Sequence, residues 1–517
     1  MKKILMTLAA VLCCTMAMMV QTACSNEDVP VPEPDGLDEC TILYYGTGGQ
    51  TADQILISSL VSCYQANPES FEHVNFVGQY KFSTAENLKT FWGLPDEPVN
   101  ILGGNTIRWV AEPEDESIFS IVNYVLRNPS GFYGDYNADL ANPDSLTNFI
   151  NWAAKAFPAK KYVVIIADHG GGYRPNDELP ESTPSAATHR GAFYDDGSGH
   201  HFTAKSLARA LRQAEVHVET LMFQACLMNN MEYQFELKDV CDYVVASTYI
   251  MQSNVAFGAL IDEFAKSQTT EEALAAFCKA TVEGWEPEGD ELYYSDMTVT
   301  RTSSLNQLGV MMREFTDRLC ETYVNGTDEQ RQKIDYCTAH TVKVDKTRPS
   351  YDAAKYIASL MRALPEVYDD DFYNQFGDAF NDGLVAQNYS RYLTAHNYQV
   401  DYSILIGADD AYLLTFWQEQ DGKEVPFAAK AYYADGKIKV YGVTPIEDDL
   451  FTCRMTFWYE DSPWSSTFAD TYEQLEFDRI VGWSRWIKLN RQLPSQFCPH
   501  DLKFELPEGD VSDNPQL

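Results

Sequence analysis

The run Tyr162–Ala167 (YVVIIA) constrains this chain more than any other feature, because its β-branched residues follow one another with no polar position between them. A strand of that kind has no face fit for water, so it belongs inside a mostly parallel sheet with helices over both sides. The residues before it agree. Leu146, Phe149, Ile150, Ala153 and Phe157 recur at helical spacing, with Asp144 or Ser145 placed to cap that helix and Pro158 to stop it. The same alternation continues on either side. Strand patterns lie at Thr41–Gly46 (TILYYG), Val74–Val77, Val218–Ala225 (VETLMFQA) and Asp242–Ser247 (DYVVAS), and helical ones at Ala52–Gln65 and Thr203–Ala214. Together they predict an α/β/α sandwich.

Residues 173–200 interrupt that pattern with a polar stretch rich in Pro, Gly and Ser, which reads as an exposed loop between core elements. From about Met297 to Leu393 helical patterns predominate. From about Val400, aromatic-rich alternation around Ala431–Val443 and Cys453–Tyr459 suggests an antiparallel β unit, with a final helix near Ile480. At 517 residues the chain exceeds what one core usually supports. These shifts divide it into a signal segment at 1–24, a tether at 25–38, a main α/β domain at 39–295, a helical region at 296–398 and a β-rich region at 399–517.

The amino terminus carries an address. Lys2 and Lys3 precede an apolar run from Ile4 to about Val20, and Gln21, Thr22 and Ala23 then lead to Cys24, a secretion signal that ends at a cysteine. The ending resembles the relaxed lipobox of Bacteroidetes lipoproteins, which implies lipidation at Cys24 and a chain tethered to the outer membrane. The acidic, Pro-rich stretch from Ser25 to Pro34 resembles a surface-export signal, and it is too poor in apolar residues to fold alone. An ordinary cleaved signal with an incidental cysteine is the alternative. A net charge of −38 leaves no basic stripe for neutralising phosphates and excludes nucleic acid as a partner. Cys40, Cys63, Cys226, Cys241, Cys278, Cys320, Cys337, Cys453 and Cys498 are odd in number and form no CxxC, which argues against structural zinc.

Two segments place a reactive side chain at the carboxyl end of a predicted parallel strand, where open α/β sheets present their chemistry. They are Asp168-His169-Gly170-Gly171-Gly172 and Gln224-Ala225-Cys226-Leu227-Met228. Cys226 ends a strand, and a helix in which Leu227, Met231 and Phe235 share a face is expected to follow at once. The helix terminus and a nearby imidazole would both favour the thiolate. The N–H groups of Gly170 and Cys226 are candidate oxyanion donors.

The segments NPDSLTNFINWAAKAFPAKKYVVIIADHGGGY and FQACLMNNMEYQFEL resemble the paired signatures of the clostripain family, and the opening strand TILYYG fits as well. The resemblance covers about Glu39 to Leu260. It implies a caspase-like α/β/α fold, a His169 and Cys226 dyad, and endopeptidase action on peptides or proteins after a basic residue; the thiol chemistry itself requires no cofactor. Calcium dependence occurs in the family, though no calcium-loop motif is visible here. The resemblance also implies precursor cleavage in the loop after the histidine, with Arg190 a better candidate than Arg174. Family members carry an acid two residues before the cysteine, where this chain has Gln224, and Thr248 stands where a second pocket acid is often found. A neutral amide cannot select a guanidinium by a charge-assisted bond, so strict preference for a basic P1 residue is not expected. The chain is expected to act as a monomer.

Two rivals stand beside the peptidase. One is a surface binding lipoprotein on a peptidase scaffold whose activity is lost or altered, which Gln224 motivates. The other is a metal-dependent hydrolase using His189, His200 and His201 with Asp195 and Asp196, whose spacing matches no zinc signature. Gly46–Gly49 lacks the Lys and Ser or Thr of a phosphate loop, and no G-x-S-x-G elbow occurs.

Overall fold

The β-branched run lies within a strand buried on both faces, near the middle of a nine-stranded sheet. The structure is a computed structural model. It describes residues 37–90, 93–113, 118–129, 132–135, 138–173, 191–248, 251, 254–267, 269–285, 296–340, 350–389, 411–420, 423–434, 437–445, 456–458, 472–490 and 503–505. Cys24, Arg174, His189, Arg190, Cys453 and Cys498 lie outside the described residues.

The sheet strands are β1 (Asp38–Thr47), β2 (Val74–Lys81), β3 (Asn105–Val110), β4 (Phe132–Asp135), β5 (Ala159–Ala167), β6 (Thr220–Gln224), β7 (Tyr243–Ala246), β8 (Asp296–Arg301) and β9 (Leu384–Tyr389). Their spatial order is β9-β8-β7-β6-β5-β1-β2-β3-β4. The five strands from β7 to β2 are mutually parallel, and two antiparallel strands extend each side.

Strand periodicity sorts side chains into two cores. Leu43, Tyr45, Val164, Ile166, Leu221 and Phe223 face helices Pro143–Ala156, Ala204–Gln213, Met231–Leu237 and Leu305–Asn325. Ile42, Tyr44, Val163, Ile165 and Met222 face helices Gly49–Val61, Ile118–Arg127, Phe257–Lys266 and Thr270–Glu283. The expected sandwich with a mostly parallel sheet is therefore present. The cap of helix Pro143–Ala156 differs from expectation. Asn142, not Asp144 or Ser145, accepts from Asp144 N at 3.0 Å. Pro143 has no N–H to leave unsatisfied and a fixed φ, so it takes the first helical position and moves the cap one residue upstream.

The carboxyl-terminal half joins the same body in part. β8 and β9 lengthen the main sheet, and residues from helices Leu305–Asn325, Ala353–Ala363 and Asp370–Asn381 and from segment 472–490 share one core with β5 and β6. A separate sheet contains Ala411–Gln420, Lys423–Ala434 and Lys437–Pro445 as successive antiparallel neighbours, with Lys503–Glu505 parallel to the last. Of the segment Cys453–Tyr459 only Thr456–Trp458 is described, and it pairs with the distant Ser350–Asp352 rather than with that sheet as expected. Strand patterning gives no information about the pairing partner, which long-range packing selects.

Candidate active site

β5 and β6 pair in parallel with Ala167 opposite Gln224, so continuing that register by two residues brings His169 level with Cys226. Adjacent strands lie about 4.8 Å apart. The two loops are pressed together beyond the last pair. A β-carbon built on Gly170 would lie 1.9 Å from the carbonyl oxygen of Cys226 and 2.5 Å from its nitrogen, so only glycine permits this approach. Gly172 has a φ of 66°, in the left-handed region, and Gly171 N donates to Gly191 O at 3.0 Å. The glycines thus turn the chain away after delivering His169. His169 and Cys226, each partly exposed, line one cleft with Ala52, Leu56, Asp168, Gln224, Ala225 and Met251.

Cys226 is not at the start of a helix, contrary to expectation. Leu227 has a φ of 64°, uncommon for a residue with a side chain, and the helix begins only at Met231, capped by Asn230 accepting from Tyr233 N at 3.0 Å. Asn230 is a strong capping residue and sets that later start. A helix terminus acts over about its first turn, so its dipole reaches the thiol weakly. Its place is taken by a main-chain donor that sequence reading missed: Met251 N lies 3.3 Å from Cys226 Sγ. The available signal was positional, since Met251 follows β7, the next parallel strand along the sheet.

Gln224 is 3 % exposed, and its Oε1 accepts from the Tyr44 hydroxyl at 2.9 Å. Its Nε2 has no hydrogen-bond partner among the described residues, although leaving a buried donor unsatisfied costs about 1–3 kcal/mol. Thr248 does not share the cleft. It is fully buried, with its hydroxyl accepting from Asn229 Nδ2 at 3.2 Å and its N–H donating to Asp296 Oδ1 at 2.7 Å.

Asp168, which also lines the cleft, is buried, and its Oδ2 accepts from Tyr194 N at 2.6 Å. Burial pushes its carboxyl well above the usual range, and Asp196 and Asp195 add to that. The short hairpin of Tyr194–Asp195 and His200–His201 is pinned by the buried pair Lys81 Nζ–Asp195 Oδ1 at 2.6 Å, with Leu140 N donating to Asp195 Oδ2 at 2.7 Å. His200 Nδ1 lies 2.7 Å from Asp139 Oδ2. On the other side of the sheet Asp53, fully buried, accepts from Tyr80 and from the N–H and hydroxyl of Ser83. Desolvation raises its carboxyl to about 6 against those hydrogen bonds.

Known proteins give this geometry a context. The model of the clostripain family, peptidase C11, matches residues 132–430, more than half of the chain. Clostripain of Hathewaya histolytica is 29 % identical over 131 residues, a stretch that amounts to 24 % of this chain and only 23 % of the relative's length. A secreted C11 cysteine protease from Bacteroides thetaiotaomicron, solved with an irreversible peptide inhibitor, aligns over 86 % of this chain and 99 % of its own, with a TM-score of 0.52 at 14 % identity. A second structure of a secreted C11 cysteine protease from the same organism, "iotapain", aligns over the same shares with a TM-score of 0.51 and 14 % identity. At that identity the likeness is one of fold. By the match across more than half of its residues, the chain belongs to the clostripain family.

Proposed function

We propose that this protein is a cysteine endopeptidase in which His169 is the general base and Cys226 the nucleophile. The observation that carries the reading is the shared cleft: both side chains line it at the carboxyl edge of adjacent parallel strands, held together by the Gly170 approach. His169 takes the thiol proton and the thiolate attacks the peptide carbonyl carbon, with the oxyanion held by the N–H groups of Gly170 and Cys226. The C–N bond then breaks, the imidazolium gives its proton to the leaving amine, and water drawn by His169 hydrolyses the acyl-enzyme. The Met251 N–H supports the thiolate before attack. Those steps use groups of the chain and one water molecule.

The substrates are peptides or proteins, and Gln224 in the cleft argues against a strictly basic P1 preference. The Cys24 ending supports a mature chain held on the outer membrane through a lipid, and no described helix is long and apolar enough to cross a membrane. Cleavage after Arg190 in the loop beyond His169 is the proposed maturation step.

The test uses purified residues 25–517 and peptides of varied P1 residue, with and without a thiol alkylator or a chelator, beside Cys226→Ala and His169→Ala. Hydrolysis abolished by the alkylator and by either substitution is expected. Loss with the chelator alone would favour a metal-dependent hydrolase. No turnover together with no alkylation of Cys226 by any peptidyl electrophile would favour a binding protein.

A further inference from the structure

The floor of the cleft carries an unanswered donor. Gln224 is the last residue of β6, two before Cys226, and its side chain lies on the same face of the sheet as Tyr44 and the cleft. The Tyr44 hydroxyl donates to Oε1 at 2.9 Å, and in that orientation Nε2 has no hydrogen-bond partner among the described residues. The open group is then an N–H, buried beside the nucleophile.

The walls add two constraints. Ala52, Leu56 and Met251 are apolar and supply no charge to pair with a charged side chain. Asp168 lines the same cleft, and no Lys or Arg stands among the lining residues. The oxygens of Asp53 already accept from Tyr80 and Ser83, and Asp168 Oδ2 accepts from Tyr194 N. A lysine or arginine head would meet a donor at the floor. A carboxylate would satisfy that donor but would bury a charge where no Lys or Arg lines the cleft to pair it. A carboxamide meets both demands, since its oxygen accepts from Gln224 and it carries no charge to bury.

The geometry points to Gln224 as a specificity-determining residue that selects a P1 asparagine or glutamine, its Nε2 donating to the carboxamide oxygen of the substrate. This assignment rests on the peptidase reading above and names its substrate class. A site built to hydrogen-bond a side chain discriminates strongly against one that lacks the group, because its own polar atom is then left buried and unpaired.

The experiment is a panel of peptides identical except at P1 (Asn, Gln, Asp, Leu, Lys, Arg), assayed for kcat/KM with wild-type residues 25–517 and with Gln224→Glu. A matching set of peptidyl electrophiles is read by mass as labelling of Cys226. For the wild type, P1 Asn or Gln should exceed Leu, Asp, Lys and Arg by at least about tenfold in turnover or in labelling rate. In Gln224→Glu the preference should move toward Lys or Arg by at least about tenfold, as a carboxylate replaces the donor. Equal rates across the panel, or a wild-type preference for Lys, Arg, Asp or Leu, would overturn the assignment while leaving the peptidase reading intact. If no peptide is cleaved and no electrophile labels Cys226, both readings fail together. The wild-type panel decides even if Gln224→Glu does not fold.

Discussion

Replacing Gly170 by alanine isolates the contact that presses the His169 loop against Cys226. The φ of Gly170 lies outside the left-handed region, so alanine meets no backbone penalty there, and the whole effect is steric. The added carbon would sit 1.9 Å from Cys226 O, and ordinary contact begins near 3.4 Å, so the histidine loop and the cysteine elbow must part by about 1.5 Å. Both atoms it meets first belong to the backbone of Cys226, so no rotamer change relieves the clash. A misplacement of about 1 Å at a reacting centre costs roughly 10²-fold, and the predicted fall in kcat/KM is therefore about 10²-fold or more. Overpacking of this size costs roughly 1–3 kcal/mol of stability, which a denaturant midpoint would register without loss of the fold. Gly284→Ala is the control, since its added carbon meets the Ala280 and Thr281 carbonyls at an ordinary 3.4 Å. Activity of Gly170→Ala within about threefold of wild type would refute the claim that this approach sets the spacing of His169 and Cys226, the threefold margin being small beside the roughly 10²-fold expected.

Met251→Pro deletes the N–H that lies 3.3 Å from Cys226 Sγ, and a hydrogen bond to a charged group is worth about 1.5–3 kcal/mol. The pH at which iodoacetamide alkylation of Cys226 reaches half its maximum should rise by roughly 1–2 units, while Met251→Leu, which keeps the donor, should leave it in place; an unmoved inflection in the proline variant removes Met251 from the mechanism. Asp53 titrates near 6 when folded against 3.8 unfolded, so its protonated form is favoured by folding, and the stability it contributes is complete below 3.8 and lost as pH rises through 6. Comparing denaturant midpoints of wild type and Asp53→Asn at pH 5 and pH 7.5, the wild type should gain on the variant at the lower pH; parallel curves would contradict the shift. Lys81→Met strands the Asp195 carboxylate, whose side chain is 0 % exposed, and should cost about 3–5 kcal/mol. Adding Asp195→Asn should recover part of that loss, and additive losses in the double variant would show that the pair is not coupled.

The parallel centre of the sheet was legible because buried strands and their covering helices each write a period into the chain. Tyr162–Ala167 has no polar position, and helix Pro143–Ala156 repeats its apolar face, so their order and type follow from local pattern alone. His169 and Cys226 were legible for the same reason, each standing just past a readable strand end. The turn after Cys226 was not. Leu227 adopts a positive φ only because the surrounding packing holds it there, and the residue itself favours the helix that sequence reading expected.

Sequence by itself thus determined that β5 and β6 exist and that His169 and Cys226 stand at their carboxyl ends, because alternation and apolar runs are local properties of the chain. Tertiary structure decided which groups meet there. The Met251 N–H on the sulfur, the Tyr44 hydroxyl on Gln224 Oε1 and the removal of Thr248 into a separate buried network each join residues from different strands or loops. Such contacts depend on strand order and on how closely two backbones can approach, and no period in the sequence records either.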